Sequence, residues 1–531
     1  MAELSDILDE LKALAVTRSR QLHDLPTIAA AADIEHALST LPRTLPADGA
    51  GLKGTWDLLR KEVAPALAPG HAGSRYFGFV TGGVLPEALV ADWLVSLFDQ
   101  NVQVHLPKET LSTYIERLSI NMVLELLGLQ IDRWSGTVTT GATSSNVLAL
   151  ASAREAVLRK YGLKVSEDGL AGSPGIKVFV TQPHASVHKA ASLVGVGRKN
   201  VIDVGHKVLE GAPIEEQVKA LDFDLNRLDE ELRACTEIQQ GAIVIAGLGE
   251  VNTGALTDQI PSLRRLCNRY GAWLHIDAAF SAFVCLLQEF AWVSEHLSLV
   301  DSITSDAHKQ LNVPYDAGLL FIRTRSAGAA ADCELYDVCS PGKSCAPAYL
   351  TAQATKGIDA DAIHAELAQQ PSPLNMNIEN SRRFRALPLY AGLVCQGRAG
   401  YAALVEGNVD FARRVEAWMR KDSKGFYEVL TPKTSVAPPG IKGPTRWTGR
   451  WGTTIVLFRA HPQLCPVPAF CDAQSGHLAL TDAIKATRQM YVTPTSFMGT
   501  GAIRLAVSNW STDEQDFHVV TRILTEVMES T

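Results

Sequence analysis

Short β-rich runs alternate with helix-length stretches through the middle of this chain, and this alternation limits the possible folds more than any other feature. The runs are brief and apolar, and polar or helix-length segments separate KVFVTQ (177–182), GAIVIAG (241–247), AWLHIDA (272–278), DSITSD (301–306) and AGLLFIR (317–323). Continuous apolar runs of this length are typical of strands in a parallel sheet that helices cover on both faces. The sequence therefore predicts an α/β fold with a mainly parallel sheet.

Length and composition indicate a folded protein without a membrane segment. The 531 residues are 46% hydrophobic and 20% charged, an ordinary balance for a globular chain that buries a large core. No apolar run reaches the roughly 18–20 residues that span a bilayer. The first residues, MAELSDILDELKALAV, alternate carboxylates with apolar side chains at helical spacing, which predicts a surface helix rather than a secretory signal.

Charge and cysteine content narrow the choice of partners and compartment. A net charge of −8 with mixed signs argues against nucleic acid as a partner, because such binding depends on Lys and Arg that neutralise phosphates. Nine cysteines are too sparse for a disulfide scaffold and indicate a reducing compartment, the cytoplasm. Cys333, Cys339 and Cys345 lack CxxC spacing and have no histidine among them, so we expect loop thiols and no metal site.

Open α/β sheets bind ligands beyond the carboxyl ends of their strands, so the residues that follow each run carry the chemistry. Gly141, Ala142 and Thr143 open a helix with small or hydroxyl side chains. The unpaired N–H groups and positive dipole at such a helix start attract an anion such as phosphate, although ordinary capping gives the same pattern. Stretches rich in Gly, Pro and Ala at 324–347 and 432–452 are predicted as long loops, the first of them near the active site.

Three further strand ends carry a histidine, an aspartate and a lysine. His184 is suited to stacking on a planar ring or moving a proton, or to a structural hydrogen bond. Asp277 requires a partner if it is buried, either a cap, an arginine or a cationic heterocycle. Lys309 alone is most simply a solvated lysine. Taken with the anion site, however, this order along one sheet matches what pyridoxal 5'-phosphate requires: a phosphate site, a stacking ring, an acid for the pyridine nitrogen and a Schiff-base lysine.

The motifs resemble, in order over roughly residues 50–525, the group II pyridoxal-phosphate-dependent decarboxylases. This fold-type I family includes the aromatic-amino-acid, glutamate and diaminobutyrate decarboxylases. The segments that carry the resemblance are RYFGFVTGG (75–83), TGATSSN (140–146), PHASVHKA (183–190), GEVNTGA (249–255), HIDAAF (275–280), DAHKQLNVPYD (306–316), SRRFRALPLYAGL (381–393) and IRLAVSNWSTDEQD (503–516).

The resemblance implies a fold-type I architecture with three parts. These are an N-terminal helical segment that wraps a partner subunit, a large domain with a mainly parallel seven-stranded sheet, and a small C-terminal α/β domain. We expect their boundaries at residues 1–105, 106–395 and 396–531. The resemblance also implies a homodimer with active sites at the subunit interface.

The resemblance further assigns roles residue by residue. Lys309 would form the Schiff base with pyridoxal phosphate, Asp277 would hold the pyridine nitrogen, and His184 would stack on the ring. The other expected cofactor-binding residues surround the phosphate or the ring, namely Gly141, Ala142, Thr143, Asn252, Ala279, Asp306 and His308.

The implied activity is decarboxylation of a small-molecule L-amino acid to the amine and carbon dioxide. An aromatic substrate is favoured if Phe77, Phe79 and Thr81 line an apolar pocket, but aromatic residues there also fit a core. Sequence alone does not identify the amino acid.

One departure from the family concerns a tyrosine that many members carry in a mobile loop before the SRRFR segment. In PSPLNMNIENSRRFR (371–385) its expected counterpart is Met376, with Tyr336 and Tyr349 upstream. This tyrosine is thought to protonate the carbanion after carbon dioxide leaves, so its loss raises the alternative of oxidative deamination to an aldehyde. A second alternative is a homologue that binds the cofactor without turnover, although Lys309, Asp277 and His184 argue against it.

Overall fold

The structure is a computed structural model that describes residues 2–209, 214–340, 371–432 and 450–529. The chain divides into two compact units. The large unit comprises Val84–Glu406 and Thr431–Thr453, and the small unit comprises Met1–Gly83, Gly407–Leu430 and Thr454–Thr531.

Helices in the described part of the chain are numbered in order. Their bounds are α1 Ala2–Arg20, α2 Ala31–Thr40, α3 Gly51–Leu58, α4 Ala64–Ala66, α5 Pro86–Leu97, α6 Ser112–Leu126, α7 Ala142–Arg159, α8 Val165–Asp168, α9 Ala185–Leu193, α10 Ile214–Gln217, α11 Leu225–Glu237, α12 Ile260–Tyr270, α13 Trp292–Leu297, α14 Ala307–Gln310, α15 Glu334–Cys339, α16 Ala386–Lys421, α17 Gly476–Ala486 and α18 Glu514–Glu529. The helical path of α16 is interrupted at Gly397, where φ is 56°.

Strands are numbered in the same way. Their bounds are β1 Asn101–Val102, β2 Trp134–Thr139, β3 Ile176–Val180, β4 Val201–Asp203, β5 Gly241–Gly247, β6 Trp273–Asp277, β7 Ser302–Asp306, β8 Gly318–Arg323, β9 Arg382–Arg383, β10 Tyr427–Val429, β11 Ile455–Ala460, β12 Thr493–Phe497 and β13 Thr500–Ala506.

The large unit is built on a seven-stranded sheet in the order β2-β8-β7-β6-β5-β3-β4. Strands β7, β6, β5, β3 and β4 run parallel, whereas β8 is antiparallel to β7 and β2 is antiparallel to β8. The five apolar runs of the sequence are β3, β5, β6, β7 and β8. The prediction of an α/β fold with a mainly parallel seven-stranded sheet is therefore confirmed.

Helix α7 packs across the centre of this sheet and contacts β5, β6, β7 and β8. Its Leu148 and Leu150 belong to the same buried cluster as Ile243 of β5 and Leu320 of β8. These strands are apolar on both faces because helices exclude water from them. The first turn of α7 is thereby held at the carboxyl ends of the parallel strands, where the sequence predicts ligand binding.

Part of the predicted loop at 324–347 is helical, since α15 lies inside it. Leu335 of this helix is fully buried, and Arg159 pairs with its Glu334 at 2.9 Å and its Asp337 at 2.6 Å. These tertiary contacts stabilise a helix that local composition did not indicate. Residues 324–333 before this helix are irregular, as predicted, whereas residues 341–347, which include Cys345, lie outside the described residues, as does most of 432–452.

The small unit contains a four-stranded antiparallel sheet in the order β10-β11-β13-β12. Phe458, Ile503 and Val520 lie in its buried core. Helix α1 buries only Ile7, so the prediction of an N-terminal surface helix is confirmed. A search of the described helices finds none with the length and apolar content needed to cross a bilayer.

Candidate active site

Two neighbouring strands of the large unit end in carboxylates at one edge of the sheet. Asp277 is the last residue of β6 and Asp306 is the last residue of β7, and β6 and β7 pair in parallel. Gly247 at the end of β5 pairs with Asp277, so the loop that carries Asn252 leaves the sheet at the same edge. The sequence prediction that functional residues gather at these strand ends agrees with this arrangement.

Lys309 lies on the short helix α14 that follows β7 directly. Its Nζ is 2.7 Å from Asp306 Oδ2, and its side chain remains 18% exposed. His308 beside it accepts a hydrogen bond at Nδ1 from the Ala317 N–H, at 3.1 Å. Burial lowers the pKa of His308, so the ring is neutral with its hydrogen on Nε2, which lies 3.6 Å from Asp306 Oδ2. Lys309 therefore has a rigid support and a carboxylate partner.

The first turn of α7 meets the start of β8 in very close contact. Gly141 precedes α7 with φ 144°, which favours glycine, and a Cβ there would face the His308 ring at 3.4 Å. A Cβ on Gly318 would overlap the Gly141 Cα, so Gly318 admits no side chain, whereas at Gly141 the backbone conformation disfavours one. The Ala142 N–H donates to Asp306 Oδ1 at 2.7 Å, and Thr143 follows in the same half-buried turn. The result is a small-residue cradle at the positive end of a helix.

Asp277 is half-buried and accepts hydrogen bonds from the Asn146 amide at 2.8 Å and from the Ala279 N–H at 3.3 Å. Burial raises the pKa of Asp277, and the Asn146 hydrogen bond opposes this shift more than the charges of Lys309 and His184 do. No lysine or arginine forms a salt bridge with Asp277 within the described ranges. Among the described residues its carboxylate is thus hydrogen-bonded by neutral donors and forms no salt bridge with a lysine or an arginine.

His184 precedes α9 as its N-cap. Its Nδ1 accepts from the Ser186 N–H at 3.2 Å and lies 2.8 Å from Ser186 Oγ. Because Nδ1 is an acceptor, the neutral ring carries its hydrogen on Nε2. The residue is exposed and is close enough to Asp277 to influence its pKa, so a face of the imidazole is accessible at the strand ends.

Three residues next to these groups were not singled out from the sequence. Asn146 holds Asp277, and His275 and Ser302 lie behind Asn146 in a buried hydrogen-bond chain. A usable signal was present for two of them, since His275 interrupts the apolar run of β6 and Asn146 lies on a helix face that is otherwise buried and apolar, whereas Ser302 begins a strand rich in hydroxyl groups. Polar residues at buried positions require partners.

Met376, the expected counterpart of the family's loop tyrosine, is buried in the large unit. It is 3% exposed and belongs to the buried apolar cluster that contains α7 residues, directly after a short 3-10 turn. The neighbouring Asn377 donates to Thr137 Oγ1 at 3.0 Å and to the Val138 carbonyl at 2.9 Å, which fixes this segment to β2. Met376 is therefore a core residue in this structure, and its correspondence to the family's loop tyrosine stays a prediction. Tyr336 packs against the same cluster from α15.

The other residues considered for catalysis or specificity differ in how far they are buried. Tyr349 lies outside the described residues. In the small unit, Phe77 is 1% exposed and packs against Phe411 at 5.7 Å between ring centroids, so it is a core residue. Phe79 is 58% exposed, and Thr81 is buried.

The donor and acceptor set of this site fits one cofactor well. The helix start at Gly141 suits a phosphate, the Lys309 amine suits a carbonyl carbon, the Asp277 carboxylate suits a protonated ring nitrogen, and His184 suits the face of a planar ring. These four requirements are those of pyridoxal phosphate. Residues 38–437 match the family described as the pyridoxal-dependent decarboxylase conserved domain.

The chain belongs to the pyridoxal-dependent decarboxylase family. It is a carboxy-lyase of amino acids, and its cofactor is pyridoxal 5'-phosphate. Its fold is the fold-type I architecture that the sequence motifs implied.

Individual relatives agree with this assignment. An aromatic-L-amino-acid decarboxylase of Bacillus atrophaeus is 26% identical over 394 residues, which are 74% of this chain and 72% of that protein. The crystal structure of Oryza sativa TDC with PLP and tryptamine has a TM-score of 0.79 at 20% identity and covers 100% of this chain and 98% of that one. The structure of Rhodiola rosea 4-hydroxyphenylacetaldehyde synthase has a TM-score of 0.75 at 18% identity, with 100% and 98% covered.

Proposed function

We propose that this decarboxylase converts an aromatic L-amino acid to the corresponding amine and carbon dioxide. The observation that carries the proposal is the gathering of Lys309, Asp277, His184 and the α7 helix start at one sheet edge of the large unit. When bound, pyridoxal phosphate supplies the electron sink that accepts the electron pair of the broken Cα–carboxylate bond.

Each side chain then has a defined task. Lys309 would hold the carbonyl carbon of the cofactor through its amine, and Asp306 lies 2.7 Å from that nitrogen. Asp277 keeps the ring nitrogen protonated, because an opposite charge within hydrogen-bond reach stabilises the cationic form. His184 covers the ring. The phosphate would be held at the α7 start by Gly141, Ala142, Thr143 and His308, and Ala279 and Asn252 would lie beside the ring.

Two observations favour an aromatic substrate. The Bacillus atrophaeus relative bears the name of an aromatic-L-amino-acid decarboxylase, and the Oryza sativa structure was crystallised with tryptamine, an aromatic amine. An acidic substrate would require an arginine or lysine aimed at its distal carboxylate. Among the described residues of this site, the lysine is Lys309. We assign its amine to the cofactor, so it would not pair with a distal carboxylate of the substrate.

The test is direct. Purified protein reconstituted with pyridoxal phosphate is incubated with L-tryptophan, L-tyrosine, L-dopa, L-phenylalanine, L-glutamate and L-2,4-diaminobutyrate, and carbon dioxide and amines are measured. We expect amine from at least one aromatic substrate and none from Lys309→Ala. Borohydride reduction should attach the cofactor to the peptide that contains Lys309. Release from glutamate or diaminobutyrate alone would contradict the aromatic assignment.

A second candidate, oxidative deamination to an aldehyde, is favoured by the segment around Met376. It carries no phenol, and its residues are fixed in the core and against β2. A structural neighbour is an aldehyde synthase. The ratio of hydrogen peroxide to carbon dioxide under air decides between the two: equal amounts with aldehyde indicate this candidate, and amine without peroxide contradicts it. Met376→Tyr is not a suitable test, because a larger side chain would overpack the core.

A homodimer is part of the proposal, with the N-terminal segment 1–105 contributing to the contact. Helix α5 exposes an apolar stripe at helical spacing, with Val90 58%, Trp93 41%, Leu94 43%, Leu97 76% and Phe98 74% exposed. Contiguous exposed apolar surface of this kind marks an interaction face, and a second copy is the occupant that the family resemblance implies.

Light scattering after size exclusion tests this interface. We expect about twice the mass of one chain for the wild type and a shift toward the monomer for Leu97→Glu. Ile238→Glu is the matched control, since Ile238 is 64% exposed but stands outside the stripe. A monomeric wild type would contradict the dimer.

Free thiols at the described cysteines support the proposal of a reducing compartment, the cytoplasm.

A further inference from the structure

Four buried polar side chains in the large unit form a continuous chain of contacts that ends on Asp277. Trp273 and His275 share one face of β6 with Asp277, because alternate residues of a strand point to the same face. Ser302 of β7 pairs in register with His275, and Asn146 reaches the chain from α7. Each of these four residues is at most 8% exposed.

The contacts run in one line from the indole to the carboxylate. Trp273 Nε1 is 2.8 Å from Ser302 Oγ, and Ser302 Oγ is 2.7 Å from His275 Nδ1. His275 Nε2 is 3.0 Å from Asn146 Oδ1. Asn146 Nδ2 is 2.8 Å from Asp277 Oδ2. All four distances are those of well-formed hydrogen bonds.

The chemistry of these groups fixes the direction of every hydrogen bond. Complete burial lowers the pKa of His275 to about 3, so the ring is neutral and carries one N–H. The Trp273 indole only donates, so Ser302 Oγ accepts from it. Asn146 donates its amide hydrogen to Asp277 and turns Oδ1 toward His275 Nε2, so the ring hydrogen lies on Nε2 and Ser302 gives its own hydrogen to His275 Nδ1. His275 Nε2 therefore donates to Asn146 Oδ1, and the amide hydrogens of Asn146 face Asp277.

The reverse direction is unfavourable at both ends. Ser302 Oγ would then accept hydrogen bonds from both Trp273 and His275. Its own hydrogen could no longer be donated to His275 Nδ1. Asn146 would then turn Oδ1 toward Asp277, and two oxygens would repel each other unless the carboxyl were protonated. The indole donor at the far end is thus compatible with the direction in which the Asn146 amide hydrogens face Asp277.

Burying an imidazole and an amide at these positions costs desolvation that apolar side chains would avoid. A purely structural site on β6 and α7 would be filled by residues such as the leucines and valines that surround them. These four positions are polar although apolar side chains would avoid that cost, which points to a task at Asp277.

We propose that Trp273, Ser302, His275 and Asn146 are positioning residues that keep Asp277 ionised and aimed at the ring nitrogen of pyridoxal phosphate. This inference rests on the proposed function, because it assumes that Asp277 meets the cofactor there. The chain delivers a hydrogen bond to the ionised carboxylate before any cofactor enters, so the site is preorganised for a protonated ring.

Charged groups also face Asp277 from three other elements. Lys309 on α14 and His184 before α9 favour its ionised form, and Asp306 of β7 opposes it. Burial acts against ionisation more strongly than any one of these groups. The hydrogen bond from Asn146 is the largest effect that favours ionisation. If the hydrogen-bond direction along Trp273, Ser302, His275 and Asn146 is lost, Asp277 shifts toward its protonated form.

The first experiment uses cofactor-free protein and reads the tautomer of His275. Histidine is labelled with ¹⁵N, and the His275 signals are assigned by their loss in His275→Phe. We expect a neutral ring with its hydrogen on Nε2 from pH 5 to pH 9, because of its pKa of about 3. A hydrogen on Nδ1, or a cationic ring in this range, would overturn the proposed direction.

The second experiment titrates pyridoxal phosphate into the wild type, His275→Phe, Asn146→Ala and the rescue variant His275→Gln, which keeps an N–H donor. We expect about tenfold weaker binding of pyridoxal phosphate to His275→Phe and Asn146→Ala. This factor corresponds to the loss of one hydrogen bond to a charged group. The pH midpoint of the bound cofactor's absorbance should move by about one unit. His275→Gln should recover most of both effects.

Ser152→Ala is the matched control, because Ser152 is a fully buried hydroxyl on the same helix α7 that bonds the Leu148 carbonyl at 2.9 Å. Its affinity and midpoint should equal those of the wild type. Unchanged values in His275→Phe and Asn146→Ala would overturn the positioning role and leave the proposed function intact. If the wild type itself takes up no pyridoxal phosphate, the proposed function and the role at Asp277 both fail, even where the tautomer is as expected.

Discussion

Two aspartates, Asp516 in the small unit and Asp277 in the large unit, are enclosed by protein and held in different ways. Asp516 is fully buried in the first turn of α18. It accepts from the Arg75 guanidinium at 2.7 Å and from Ser74 Oγ at 2.8 Å, and it lies 3.2 Å from His23 Nδ1. Its charge is compensated by a cation of the protein itself.

Asp277 has only neutral donors on its carboxylate in the described structure. They are the Asn146 amide and the Ala279 N–H, and the residue keeps some exposure at the strand ends. The pKa of Asp277 is raised because burial outweighs these donors. A compensated aspartate serves the fold, whereas an uncompensated one leaves room for a cation from outside, and a protonated pyridine ring is such a cation.

The largest expected effect that tests this comparison is the loss of turnover in Asp277→Asn. The amide cannot balance a protonated ring nitrogen, so carbon dioxide release should fall by roughly 10³-fold, which corresponds to about 4 kcal/mol in the activation free energy. Steady-state rates of reconstituted enzyme give the number. The variant should remain folded by circular dichroism, and near wild-type turnover would show that Asp277 has no such role.

Asp516→Asn should have the opposite profile, with a large loss of stability. Removing one partner of a buried ion pair leaves the Arg75 charge unmatched, which typically costs about 3–5 kcal/mol in the free energy of unfolding. Thermal and urea unfolding measure it. The double variant Arg75→Met/Asp516→Leu should recover most of the loss, and equal stability of the single variant and the wild type would contradict the distinction between the two aspartates.

The sequence located the strand-end residues because their positions follow from local pattern. Each apolar run has a recognisable end, and parallel strands present those ends at one edge, so Asp277 and Lys309 were expected to be neighbours. Motif resemblance then assigned the cofactor. The ends of β5, β6, β7 and β8 were predicted to within one residue.

Contacts between distant segments were not predictable in this way. Asn146 meets Asp277 across 131 positions of sequence, and periodicity shows which face of a helix is buried without identifying the residue that it meets. The burial of Met376 was not predictable for a related reason. Alignment to a loop position assumes that the loop keeps its path, whereas the apolar thioether gains more from the core than from an exposed turn.

The pH dependence of stability gives a finer test of Asp277. Its pKa is raised above the unfolded value of 3.8, so the ionised carboxylate destabilises the folded cofactor-free protein at pH values above that raised pKa, and this cost disappears as the pH falls below 3.8. Cofactor-free Asp277→Asn should therefore be more stable than the wild type at pH 7, and the difference should shrink on acidification. Melting temperatures from pH 4 to pH 8 measure it, and a variant less stable than the wild type at pH 7 would contradict the raised pKa.

The smallest expected effect concerns Glu514, which begins the same helix α18 as Asp516 but lies at the surface. Its side chain is 60% exposed and pairs with Arg414, and the hydrogen bond from this arginine lowers the pKa of Glu514. Water and salt screen an exposed pair, so Glu514→Gln should leave the melting temperature at pH 7 close to that of the wild type, and any difference should vanish in 0.5 M salt, where the screening length is roughly 4 Å. Because the pKa is lowered, the small contribution of the pair is present above pH 4.5 and is lost as the pH falls through the lowered value. If Glu514→Gln lost as much stability as Asp516→Asn, burial would not explain why one carboxylate on this helix stabilises the fold more than the other.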